Sequence, residues 1–161
     1  MITVTISHTL PICDAQDPEI SVDLDQLWLS LVHKAENPVP YVPSITAANV
    51  TDRRPDGFAR EIVLRGKDRF RERVILEPKR RVVFEQLDDP DLAVITNEIA
   101  ADPAGGMTYT LTVTLSAHGV HRSQQESGYL TACDMIFFDT ARGTVNSMRL
   151  TAPRQPVPAS V

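Results

Sequence analysis

The chain has 161 residues, 42% of them hydrophobic and 23% charged, and a formal net charge of −5. This suits one domain of roughly 100–200 residues, and the acidic balance argues against a general nucleic-acid binder, which is usually basic. No apolar run reaches the ~18 residues of a membrane helix. The first six residues alternate without the basic segment of a signal peptide, and the distant Cys13 and Cys133 match no zinc or redox spacing, which points to free thiols in a reducing cytoplasm.

Ile2, Val4 and Ile6 alternate with Thr3, Thr5 and Ser7, the period of a strand that Pro11 and the polar run 14–18 should end. A helix follows. Asp23 is a candidate N-cap with Gln26 three residues on. Leu24, Leu27, Trp28, Leu31, Val32 and Ala35 form one apolar stripe, and Asn37-Pro38 stops the helix. Three prolines within residues 38–43 exclude a long element there.

Six strands are then predicted, near 44–52, 58–65, 68–77, 80–86, 92–101 and 106–116. Turn compositions such as Pro55-Asp56-Gly57, Gly66-Lys67 and Asp88-Asp89-Pro90 separate them. The last alternates most regularly, with Tyr109, Leu111 and Val113 facing a core and Thr110, Thr112 and Thr114 facing water. From Ser123 the period changes to that of a long amphipathic helix, roughly 123–150, interrupted by Gly128 and Gly143. Residues 1–151 read as one domain, and the proline-rich 152–161 as a disordered tail.

The expected fold is therefore α+β, a curved seven-stranded antiparallel sheet wrapped around a long C-terminal helix. A small-molecule cavity between sheet and helix is the natural consequence.

Local sequence sharpens this reading. The stretches Asp23-Leu24-Asp25-Gln26-Leu27-Trp28, Leu31-Val32-His33-Lys34-Ala35-Glu36-Asn37-Pro38 and Tyr41-Val42-Pro43 carry a resemblance, as do Arg60-Glu61-Ile62, Arg71-Glu72-Arg73-Val74 and Val82-Val83-Phe84-Glu85. Together with the element order they resemble the START-like (SRPBCC) helix-grip superfamily, and within it the AtaL-like family, over about residues 2–150. Asp23 stands where the family pattern has Thr, and the two glycines interrupt its last helix. The resemblance implies a helix-grip fold and an association with natural-product chemistry. It supplies no catalytic residues.

Strand parity selects candidate site residues. Arg60 shares a face with Phe58, Ile62 and Leu64, and Glu72 with Phe70, Val74 and Leu76. A three-residue turn at 65–67 would place Arg60 opposite Glu72 on the concave face, whereas a two-residue turn would put the apolar faces on opposite sides. The pair is either a ligand anchor or an ion pair satisfied within the sheet. Tyr109, Leu111, Val113, Ile136 and Phe137 are the expected cavity lining. Arg65, Lys67, Arg69, Arg71 and Arg73 have the opposite parity and fall on the outer face, without a stacking platform for nucleic acid.

His33, beside Lys34 and Glu36, reads as solvated, and His118 and His121 as loop residues. No metal-ligand spacing, Walker loop, GxGxxG or nucleophile elbow is present, so no cofactor or metal is expected.

The expected function is binding of a small, mostly hydrophobic molecule, aromatic or polyketide-like, with no nucleic acid, no membrane span and a cytoplasmic location. Homodimerisation through a sheet edge stays open. The alternative is an aromatase/cyclase-like enzyme with Glu72 as acid/base. An adjacent Arg60 would hold Glu72 ionised, which favours binding over catalysis.

Overall fold

The computed structural model describes residues 2–13 and 23–151. The polar run 14–18 and the expected tail 152–161 lie outside the described residues. In chain order the elements are β1 (Thr5–Cys13), α1 (Leu24–Glu36), β2 (Ile45–Arg54), β3 (Gly57–Leu64), β4 (Asp68–Glu77), β5 (Arg81–Gln86), β6 (Leu92–Ala101), β7 (Met107–Leu115), α2 (Ala117–Gln125) and α3 (Tyr129–Thr151). The strands form one antiparallel sheet in the order β1-β7-β6-β5-β4-β3-β2. Strands β2 to β7 are a meander joined by short turns, and β1 returns to pair with β7. The six strands predicted after residue 44 all form, with ends displaced by no more than two residues.

Two expectations need correction. Strand β1 does not end at Pro11 but runs through it to Cys13. It is a sheet edge, where a missing N–H need not break a ladder, and the register shifts between Pro11 and Cys13. The single helix expected over 123–150 is two helices, and the first begins earlier. Ser116 caps α2 by accepting from Gly119 N, so His118 and His121 are helical rather than in a loop. The chain breaks after Gln125, where Glu126 is extended and Gly128 adopts a φ of +81°, a conformation that favours glycine.

Helix α1 starts as the sequence indicates. Asp23 and Gln26 form a reciprocal capping box, which satisfies two of the unpaired groups at this helix end. Leu27, Leu31 and Ala35 are buried and pack with Val74, Val82 and Phe84 of the sheet into one core. On the outer face Arg69, Arg71 and Arg73 pair with Glu61, Asp88 and Asp56, so this basic row is a solvated ion-pair surface.

Helix α3 covers the concave face unevenly, packing against β1 and β7. Its C-terminal half buries Ala141, Thr144, Val145 and Met148. In its N-terminal half Met135 is 63% and Ile136 52% exposed, so β3, β4 and β5 are left partly uncovered. His8 of β1 ties this half to the sheet edge, its Nε2 lying 2.8 Å from Asp134 Oδ1 and its ring meeting Phe138 edge-on.

Candidate functional site: a cavity with a polar floor

A cavity of about 370 Å³ lies under the open half of α3. Ile62, Phe70, Leu92, Ile95 and Leu111 give it apolar walls from four strands. Ile136, Phe137 and Thr140 of α3 form its cover.

The floor is polar. Strands β3 and β4 pair in the register that the three-residue turn requires, so Arg60 and Glu72 are direct partners. Arg65 and Gly66 in that turn have φ of 53° and 69°. The Arg60–Glu72 side chains are 5% and 2% exposed, with Nε and Nη2 of Arg60 each 2.8 Å from Glu72 Oε1. The remaining arm, Nη1, donates to Ala35 O at 2.7 Å. That carbonyl belongs to the last turn of α1, where carbonyls have no partner within the helix and a cation is favoured. Gln86, opposite Glu72 on β5, donates from Nε2 to Oε2 at 2.5 Å. Both carboxylate oxygens are therefore acceptors, and the guanidinium also stacks 4.5 Å from the centroid of the Phe84 ring.

Two further groups complete the floor, and neither was among the sequence candidates. Lys34 of α1 is buried, with Nζ donating to Asn97 Oδ1 at 2.7 Å and lying 5.5 Å from the Phe84 centroid. Burial, reinforced by the charge of Arg60 and opposed by that of Glu72, lowers its pKa to about 7. Asn97 projects from β6 between Ile95 and Ile99, and its Nδ2 is buried without an acceptor among the described residues. Both were detectable. Lys34 is seven residues beyond Leu27 on the buried stripe, and Asn97 has the parity of two inward isoleucines.

Five of the seven sequence candidates converge here: Arg60, Glu72, Leu111, Ile136 and Phe137 all border the cavity. Tyr109 and Val113 do not border it, although both are fully buried on the same sheet face. The packed half of α3 fills the space near Tyr109, whose hydroxyl sits beside Thr144 without completing a hydrogen bond of standard geometry. Burial raises the Tyr109 phenol well above its usual range, so it stays neutral.

A curved antiparallel sheet, a C-terminal helix across its concave face and a cavity between them define the helix-grip class. The family profile described as acetylaranotin biosynthesis cluster protein L (AtaL) matches residues 6–153, and the chain belongs to that family. Among solved structures, the di-domain aromatase/cyclase BexL is similar over 96% of this chain and 51% of its own, with 14% identity and a TM-score of 0.68. The Zhui aromatase/cyclase from Streptomyces is similar over 92% of both chains, with 15% identity and a TM-score of 0.63. A Thermus thermophilus protein is similar over 94% of this chain and all of its own, with 14% identity and a TM-score of 0.64. The chain spans about half the length of the di-domain enzymes. At these identities the likeness is one of fold. No curated protein matches the chain. Among the described residues no helix is long and apolar enough to cross a membrane.

Proposed function

We propose that the protein binds a small, mostly apolar molecule in the cavity between the sheet and α3. The observation that carries this reading is a cavity of about 370 Å³ whose apolar walls converge on a buried polar floor. Ligand sites typically have this size and this division of labour. Leu111, Ile136 and Phe137 would contact the apolar body. Arg60 and Glu72 are bonded mainly to each other, to Ala35 and to Gln86, so they shape the floor. Lys34 and Asn97 Nδ2 retain donors for a ligand oxygen.

Aromatase/cyclases among the fold neighbours support a second reading, a cyclisation of an aromatic or polyketide-like ligand with Glu72 as acid/base. Engagement of both Glu72 oxygens as acceptors favours binding over this chemistry. The reading includes a cytoplasmic protein without a nucleic-acid partner, supported by the free thiols of Cys13 and Cys133 and the net charge of −5. A homodimer through the β1 or β2 edge remains part of the proposal.

The test is native mass spectrometry of the protein from its own host, followed by titration with the dye 1-anilinonaphthalene-8-sulfonate. We expect a co-purifying small molecule or one equivalent of bound dye, displaced or weakened when Ile62→Trp fills the cavity. Dye binding unaffected by Ile62→Trp would overturn the cavity reading. Turnover of a co-purified compound that is lost in Glu72→Gln, with binding retained, would establish the enzyme instead.

A further inference from the structure

We propose that Lys34 is a carbonyl-capturing amine, forming a reversible imine with an aldehyde or ketone group of the molecule held in the cavity. This inference rests on the cavity reading above. Three geometric observations carry it. Lys34 is buried yet borders the cavity. Its hydrogen bond goes to the neutral amide of Asn97, while the nearby carboxylate of Glu72 is bonded to Arg60 and Gln86. The same Asn97 side chain holds a buried Nδ2 with no acceptor among the described residues, and a ligand oxygen beside Lys34 is the acceptor it lacks.

The facing charged groups set the state of the amine. Arg60 on β3 disfavours a second cation, Glu72 on β4 partly opposes this, and burial adds the largest effect. The result, a pKa of about 7, leaves a substantial fraction of nucleophilic amine at neutral pH. The Lys34 nitrogen pair attacks the carbonyl carbon as the C=O π pair moves to oxygen. A nitrogen proton passes to that oxygen, giving a carbinolamine. Departure of the oxygen as water, carrying the second nitrogen proton, leaves C=N. Amine plus carbonyl thus gives imine plus water, and hydrolysis reverses it without any redox partner.

The chain supplies its own controls, because its other lysines, Lys67 and Lys79, are exposed, and Lys79 pairs with Asp25 at 2.8 Å. The probe is 2-naphthaldehyde with sodium cyanoborohydride, which reduces the imine to a stable secondary amine. Peptide mapping of the full chain separates Lys34 from Lys67, Lys79 and the α-amino terminus. At pH 7 we expect Lys34 to label about 100-fold faster than Lys67, with a half-maximal rate near pH 7 rather than ~10. The mapped Lys34 adduct should disappear in Lys34→Met. Since that variant can perturb folding, the wild-type map and pH profile decide the matter. Binding of the unreactive 2-naphthalenemethanol is measured in parallel. If the alcohol binds but Lys34 labels no faster than Lys67, the imine inference fails and the cavity stands. If neither occurs, the cavity reading fails and this inference with it.

Discussion

Lys34 and Asn97 meet at 2.7 Å between α1 and β6, a buried ammonium on a neutral amide. An ammonium without a bonded carboxylate is held in this fold at a cost, and that cost makes stability depend on pH. The folded-state pKa is about 7 against 10.5 for an unperturbed lysine, so between these values the unfolded chain binds more protons. The Lys34 contribution therefore raises stability as pH rises from 7 towards 10, and it is flat below 7, where both states are protonated. The full rise is on the order of 5 kcal/mol. Urea unfolding of the wild type and of Lys34→Met from pH 6 to 9.5 tests this. The variant should be the more stable protein at pH 6, and its advantage should shrink as the pH rises.

Arg60 and Glu72 should behave as a unit. Glu72→Ala leaves a buried guanidinium without its carboxylate and should cost about 3–5 kcal/mol. The double variant Arg60→Met, Glu72→Leu should cost less than either single truncation, because no unpaired charge remains. A double-mutant cycle from denaturant midpoints reads the coupling directly.

Gly119 is predicted to be irreplaceable by alanine despite lying in a helix. Alanine would gain about 1 kcal/mol of helix propensity. Its Cβ, however, would stand 2.1 Å from the Asp91 carbonyl oxygen, a backbone atom that cannot rotate away. A net loss of about 1–3 kcal/mol is expected, visible as a lowered Tm. Equal or higher thermal stability of Gly119→Ala would contradict the close packing of α2 on the β5–β6 connection.

Removal of the α1 cap isolates local from tertiary stability. Asp23→Ala loses the bond from Gln26 N at 2.8 Å and should lower global stability by about 1 kcal/mol. Asp23→Asn should retain most of it. Calorimetry on the two variants distinguishes capping from loss of negative charge.

The sequence was most legible where two local constraints agreed. Alternation located the strands, and the turn at 65–67 fixed a register that brings Arg60 to Glu72. It was least legible where chemistry and geometry conflicted. Lys34 enters the sequence reading only as a charged neighbour of His33, although its position on the α1 stripe is that of a core residue. Parity placed Tyr109 and Val113 on the correct face of β7. It could not show where along that face α3 packs closely, since this depends on contacts among distant elements. The break at Gly128 was similarly hidden in a nearly continuous helical pattern, whereas Ser116 was an available start signal for α2.

The uneven seating of α3 gives one helix two levels of protection against hydrogen exchange. Amides near Ala141, Val145 and Met148 belong to a packed region and should open only with much of the molecule. Those near Met135 and Ile136, with few buried contacts, should exchange by local opening. A molecule that fills the space beneath Phe137 would join the second region to the first, slowing exchange there while leaving the already protected turns almost unchanged. Occupancy of the cavity is thereby written into the backbone of a single helix, readable without knowing what the occupant is.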